Sequence, residues 1–221
     1  MNIVEFTDAT ATTATAKVTP EKTGSLRVTA AGKDGTAKIT LLDSRKNALT
    51  GKTTVDTNSQ KQAKRIVTYG VTAGETYYIK VDFGETYEES GYHYGVISAA
   101  NNECTGKAGT AKTSSASLAK GKSISAVLPA KGSSWFKVTT TAKQSIFMLT
   151  AETDGKVQFT VYHKTGKKTQ KKVMTISRTR LIRFIGTSAK KTKQTFWIKV
   201  TPVKDADGYS ASGVYSVSRV K

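Results

Sequence analysis

Lys156–His163 reads KVQFTVYH, and this octapeptide decides the fold class. Val157, Phe159 and Val161 are apolar, while Lys156, Gln158 and Thr160 between them are polar. A period of two sends alternate side chains to opposite faces of a sheet, so one face is buried. Thr36–Leu41 repeats the pattern with Ala37, Ile39 and Leu41. Asp34-Gly35 and Asp154-Gly155 stand immediately before these strands, and Asp-Gly signals a tight turn because glycine accepts positive φ. Val, Ile, Thr, Tyr and Phe dominate the remaining runs, and no segment sustains a 3.6-residue period. The chain therefore reads as all-β, with about seven or eight short strands per hundred residues arranged as two-sheet sandwiches.

The same blueprint occurs twice. Residues 16–48 (AKVTPEKTGSLRVTAAGKDGTAKITLLDSRKNA) align without a gap with residues 136–168 (FKVTTTAKQSIFMLTAETDGKVQFTVYHKTGKK), and eight of the 33 positions are identical. Apolar positions follow the same offset: Leu26 with Ile146, Val28 with Met148, Ile39 with Phe159, Leu41 with Val161. TYYIKV (Thr76–Val81) matches TFWIKV (Thr195–Val200), and RIVTY (Arg65–Tyr69) resembles RLIRF (Arg180–Phe184). Both copies close on Ser-Gly and a short aromatic strand, SGYHYGVIS at 90–98 and SGVYSVS at 212–218. Two units of about a hundred residues account for the 221-residue length. Residues 102–116, within a stretch rich in Gly, Ser, Ala, Thr and Lys, read as a flexible linker. The expected units are thus 1–101 and 117–221.

Charge divides with the copies. The net charge is +19, yet residues 1–110 carry 13 Lys+Arg against 12 Asp+Glu, and residues 111–221 carry 22 against four. Like charges at that density repel; an anionic partner relieves the repulsion, or the lysines form a solubilising surface with no particular addressee. No run of 18 apolar residues is present, and MNIVEF does not read as a signal peptide. Cys104 is the single cysteine, and two histidines leave little for metal or acid–base chemistry.

The order Trp135-Phe136-Lys137-Val138, then Val161-Tyr162-His163, then TFWIKV, then SGVYSVS resembles bacterial pre-peptidase C-terminal (PPC) domains. In the first copy Leu41-Leu42-Asp43 stands at the family's Leu-Tyr-Asp strand, whereas Thr15-Ala16-Lys17-Val18 lacks the aromatic pair. The resemblance implies tandem jelly-roll-like antiparallel β-sandwiches of a secreted bacterial protein. Such domains are usually non-catalytic and appended to enzymes or surface proteins; some bind insoluble proteins or glycans, and some bind calcium. Two copies without a catalytic domain depart from the usual arrangement.

No catalytic residues are expected. The sequence lacks a G-x-S-x-G elbow, H-E-x-x-H or a P-loop, Cys104 has no local histidine, and His93 and His163 lie in strand or loop settings. Asp82, Glu85, Glu88 and Glu89 crowd DFGETYEES; they read as weak calcium candidates, as a solvated acidic loop, or as a segment docking on the basic copy. The second copy holds the candidate polyanion site: Lys164, Lys167, Lys168, Lys171 and Lys172 around a hairpin turn, Arg178, Arg180 and Arg183 on the next strand, and Lys190, Lys191 and Lys193 in an insertion. Strand parity also sends Trp135, Trp197 and Tyr78 outward beside Lys137, Lys199 and Lys80, where flat rings next to ammonium groups suit stacking on sugars. Packing against a sheet edge is the structural reading of the same aromatics.

The expectation is a non-catalytic extracellular or cell-surface adhesion module engaging an anionic glycan or cell-wall polymer through its basic second domain. A ligand-free structural spacer, with a protein as the other class of partner, is the alternative. Nucleic-acid binding is a distant one, since no RRM, KH or zinc-finger motif is present.

Overall fold

The alternating segments form strands throughout. The protein was analysed as a computed structural model, which describes residues 5–9, 13–31, 35–83, 96–177, 180–187 and 192–220. By compactness the chain divides into Met1–Glu103 with Asp205–Tyr209, and Cys104–Lys204 with Ser210–Lys221. Each unit is an antiparallel β-sandwich with its own core. Among the described residues no helix is long and apolar enough to cross a membrane.

The first unit contains β1 (Glu5–Ala9), β2 (Thr13–Val18), β3 (Gly24–Ala31), β4 (Thr36–Leu42), β5 (Thr53–Asp56), β6 (Ile66–Val71), β7 (Tyr77–Asp82) and β8 (Val96–Glu103). One sheet runs β1-β2-β7-β4-β5 and the other β6-β3-β8. Leu26, Val28, Ile39, Leu41, Ile79 and Tyr69 fill the space between them. The Tyr69 hydroxyl donates to the Ile39 carbonyl at 3.2 Å, so its polar end is satisfied inside the core.

The second unit contains β9 (Ala116–Ser117), β10 (Ser123–Val127), β11 (Ser134–Thr140), β12 (Gln144–Thr153), β13 (Lys156–Thr165), β14 (Lys168–Ser177), β15 (Arg180–Thr187), β16 (Gln194–Pro202) and β17 (Gly213–Arg219). Its sheets are β10-β17-β12-β15 and β14-β13-β16-β11-β9. From β10 onward each strand crosses to the opposite sheet, except in the β13–β14 hairpin, and the result is a jelly roll. The short β9 is the exception to antiparallel pairing, lying parallel to β11. Phe136, Phe147, Phe159, Phe196 and Tyr215 form an aromatic core, with the Phe147 and Phe196 centroids 5.2 Å apart. Each such side chain contributes about 1.5–3 kcal/mol on burial.

Strands β2–β8 correspond to β11–β17, and the strands that precede them differ. β10 pairs with β17, but among the described residues no strand occupies the matching edge of β8; the N-terminal β1 pairs instead with β2 in the other sheet.

Four expectations need correction. The ungapped offset is out of phase over one strand: Leu26 and Val28 face the core, whereas Ile146 and Met148 alternate outward from Phe147 and Leu149. Leu26 pairs with Tyr69 as Phe147 pairs with Phe184, so the second copy has one extra residue before β12. A one-residue slip exchanges the two faces of a strand, and burial rather than identity fixes the register. Similarly, Val96 pairs with Ala31 as Val214 pairs with Glu152, which displaces the expected match between the two Ser-Gly pairs.

The segment expected to be a flexible linker is held in place. Gly106 N–H donates to the Ser125 carbonyl at 2.9 Å, and Gly109 exchanges two backbone hydrogen bonds with Trp135. A Cβ at Gly106 would overlap the Ser125 carbonyl, so the glycine serves close approach here rather than flexibility. The Asp-Gly expectation holds at Gly35, with φ of 88°, and fails at Gly155, which is not among the positive-φ residues. Both glycines lie between strands of opposite sheets; at the second, the Asp154 carboxylate accepts from Ser212 N–H at 2.7 Å.

Candidate functional site

The outward face of the β14-β13-β16-β11-β9 sheet brings the aromatic candidates together. On β11, Phe136 and Val138 are buried, which turns Trp135 and Lys137 outward; on β16, buried Phe196, Ile198 and Val200 do the same for Trp197 and Lys199. Register sets Trp135 opposite Lys199, and Lys137 opposite Trp197. On the other side of β16, Trp197 faces Tyr162 and Tyr162 in turn faces Lys171. One row across the sheet is therefore Lys137, Trp197, Tyr162, Lys171, with Trp135 and Lys199 in the next row. The four long strands contain no Asp or Glu at all.

Ring contacts make this face continuous. Trp135 and Tyr162 stack with centroids 5.8 Å apart and planes 18° apart. The Trp135 indole N–H donates to Ser133 Oγ at 2.9 Å. Lys199 Nζ lies 5.6 Å from the Trp135 centroid and Lys137 Nζ 5.9 Å from that of Trp197. A further cation comes from the segment read as linker: a turn at Ala111–Ser114 sets Lys112 Nζ 4.5 Å from the Trp197 centroid and 5.0 Å from that of Tyr162. Sequence reasoning missed Lys112 and Tyr162. The parity of KVQFTVYH carries the signal for Tyr162, since buried Val161 turns the next residue outward. Nothing local carries it for Lys112.

The hairpin lysines divide between two faces. Gly166, with φ of 58°, and Lys167 form a two-residue turn of the type that opens on glycine and joins Thr165 to Lys168. Beyond it Lys171 stands on the outer face with Lys164, whereas Lys168 and Lys172 take the parity of the core. β14 is an edge strand, and lysines there deter pairing with another chain. Lys172 Nζ is 5.8 Å from the Phe184 ring, at a cleft of about 530 Å³ between the free edges of β14 and β15. His163, Gln170, Lys171 and Ile185 also line this cleft. On β15, Arg183 is exposed on the outer parity and Arg180 is exposed at the strand's start. Lys193 is exposed; Arg178, Lys190 and Lys191 lie outside the described residues.

His163 has a structural setting. Its ring stacks on Phe196 with centroids 4.3 Å apart, and Nε2 lies 2.7 Å from Gln194 Oε1. Buried Gln194 donates through Nε2 to the Ala142 carbonyl, so its Oε1 is left as the acceptor and the His163 Nε2 carries the proton. His93 lies outside the described residues, as do Glu85, Glu88 and Glu89. Asp82, on β7, pairs across to Thr13 and Lys38. Among the described residues no three His, Cys, Asp or Glu side chains gather as a metal site. Tyr78 occupies the Trp197 position of the first unit, between Lys17 and Leu42, with Lys46 Nζ 5.3 Å from its ring.

No family model matches the chain, and no curated protein matches it. Among solved structures it is similar to the CUB1-EGF-CUB2 domain of human MASP-1/3, at 8% identity over 100% of this chain and 99% of that one, with a TM-score of 0.25. The CBM22-1-CBM22-2 tandem domain of Paenibacillus barcinonensis Xyn10C is 11% identical over 94% and 83%, with a TM-score of 0.23. The ANXUR1 extracellular domain from Arabidopsis thaliana is 10% identical over 98% and 82%, with a TM-score of 0.25. Overlap this low bears on neither topology nor function.

Proposed function

We propose that the chain is a non-catalytic extracellular or cell-surface binding module that holds an anionic glycan or cell-wall polymer on the outer face of its second sandwich. The observation that carries this reading is the acid-free grid in which Trp135, Trp197 and Tyr162 alternate with Lys137, Lys171 and Lys199. A sugar ring has an apolar face that suits an indole, and its carboxylate, sulfate or phosphate substituents reach ammonium groups one residue away. Each exposed ion pair contributes only about 0–1 kcal/mol, so affinity needs several lysines together with ring contact. The PPC-like sequence pattern supports placing the module outside the cell.

One observation favours the spacer reading: the Lys112 ammonium already lies over Trp197 and Tyr162, giving those rings an internal partner. Retention of the full chain on a sulfated glycan, a polygalacturonate, a neutral glucan and single-stranded DNA, at low and near-physiological ionic strength, separates the possibilities. The proposal expects salt-sensitive retention on the two anionic glycans that Lys137→Gln with Lys199→Gln abolishes. No retention on either glycan overturns it in favour of the spacer, and retention on DNA alone overturns it in favour of a nucleic-acid partner.

A further inference from the structure

We infer a second anion site, on the first sandwich, in a cleft of about 390 Å³ where Lys38, Lys46, Lys52 and Lys80 converge. It takes a single oxyanion group: a sulfate, phosphate or carboxylate. The cleft opens on the outward face of the β1-β2-β7-β4-β5 sheet, topologically the face that carries the aromatic grid in the second unit. This site does not depend on the second sandwich binding anything.

Three observations set it apart from a scatter of surface lysines. First, the first half of the chain is nearly neutral, with 13 Lys+Arg against 12 Asp+Glu over residues 1–110, so general lysine excess does not explain the convergence. Lys38 and Lys80 are neighbours on one sheet face, Lys80 opposite Thr40 and Lys38 opposite Asp82. Lys38 and Asp82 form a directly opposite pair of unlike charge, whereas Lys80 faces neutral Thr40. Among the described residues Asp82 is the one carboxylate lining the cleft, against four lysines.

Second, the loop after β4 is built to bring two more lysines over that face. It returns to the sheet through a bridge between Leu42 and Ala48, a Leu49 N–H bond to the Leu41 carbonyl at 2.9 Å, and a Leu41 N–H bond to Thr50 Oγ1 at 3.1 Å. The loop's only acid, Asp43, turns inward: Oδ1 accepts from the Arg45 and Asn47 N–H groups, both at 2.8 Å. The backbone N–H of Asn47, ahead of the Asn47 side-chain amide and Arg45, holds the Asp43 carboxyl below the usual range, and it serves the loop rather than the lysines.

Third, Lys46 has φ of 63°, alone among the described non-glycine residues in the left-handed region. That conformation costs a non-glycine residue about 1–2 kcal/mol, and glycine or asparagine would adopt it more readily. The Lys46 side chain reaches back over the outward sheet face, with Nζ 5.3 Å from the Tyr78 ring. The floor, formed by Thr15, Thr40 and Leu42, adds hydroxyl groups beside an apolar wall.

The test is a titration of the ¹⁵N-labelled full chain, followed by amide shifts, with inorganic phosphate, inorganic sulfate and a sulfated tetrasaccharide in separate arms. The expected result is saturable shifts confined to Thr15, Lys38, Thr40, Lys46 and Lys80, weakened at least tenfold by Lys38→Gln with Lys80→Gln. The matching pair of arginine substitutions retains binding. Shifts at this cleft persist in Trp197→Ala, so failure of the aromatic grid leaves them untouched. Saturation with the tetrasaccharide at lower concentration than with the free ions identifies a glycan substituent as the source; equal or better saturation by a free ion identifies a small-anion site. Shifts that rise linearly without saturating in every arm, or that the glutamine pair leaves unchanged, overturn the inference.

Discussion

Phe196 and Trp197 are consecutive residues on one strand with opposite parity, and together they test whether the outer face binds or merely packs. Phe196 is fully buried, stacked under His163 and 5.2 Å from Phe147. Phe196→Ala opens a cavity in the core and should cost about 3–5 kcal/mol. Trp197 is partly exposed and outside the core cluster. Its truncation forfeits contacts with Lys112 and Lys137, each worth about 0.5–1 kcal/mol, so Trp197→Ala should cost about 1–2 kcal/mol. Full burial of an aromatic side chain is worth about 1.5–3 kcal/mol. A sugar ring covering the exposed part of Trp197, at most about a third of the side chain, therefore gains about 0.5–1 kcal/mol, and its loss raises Kd about two- to fivefold. Urea unfolding gives the stabilities, and calorimetric titration with the sulfated tetrasaccharide gives the affinities. Trp197→Ala with unaltered Kd refutes stacking. A stability loss equal to that of Phe196→Ala refutes the assignment of Trp197 to a binding face.

Tyr215 predicts an alkaline limit. Its hydroxyl lies near Ser134 without a well-formed hydrogen bond, and burial raises its pKa from 10.0 to about 12. The unfolded chain therefore loses this proton first. Stability is fully present below pH 10 and falls as the pH rises toward 12, by about 3 kcal/mol in all. Tyr215→Phe should be near neutral at pH 7 and should flatten that decline; an unchanged profile in pH-dependent urea unfolding counts against it. A Cβ at Gly186 would overlap the Phe196 ring, so Gly186→Ala should destabilise by about 1–3 kcal/mol and shift the His163 ring resonances, whereas wild-type stability would mean that the ring has room to move. Lys112→Gln should expose Trp197 to acrylamide quenching, and unchanged quenching would contradict the observed ammonium position. The first unit, with no strand on the β8 edge among the described residues, should lose amide-exchange protection before the second; simultaneous loss in both would show that this edge carries no stability deficit.

The strands were legible because burial imposes a period of two, and KVQFTVYH, TFWIKV and TYYIKV each carry it with β-branched or aromatic residues. Duplication was legible too, but its phase was not. Sequence identity favoured aligning Leu26 with Ile146, and only pairing with Tyr69 and Phe184 reveals the extra residue. Composition misled at 104–116, because glycine and serine serve close packing as readily as flexibility: Gly109 meets the Ser114 carbonyl so tightly that no Cβ fits. Lys112 was invisible for the same reason. Its position depends on where that segment lies, which no local periodicity encodes.

Net charge is a poor guide to where the lysines gather. The surplus in the second copy mixes two roles that the sequence runs together in KTGKKTQKK. Alternate lysines of one edge strand fall on opposite faces, so Lys168 and Lys172 guard the rim of the sandwich while Lys171 joins the aromatic grid. The first copy, close to neutral overall, still gathers four lysines on the corresponding face of the corresponding sheet. What the two copies share is therefore the face and not the charge. Selection for solubility acts on the total and is indifferent to which face carries it. Cations gathered on the same face in a neutral and in a basic copy are what the two proposed anion sites require. At matching positions the first copy has Thr15 and Tyr78 where the second has Trp135 and Trp197, so the second presents more ring surface beside its lysines.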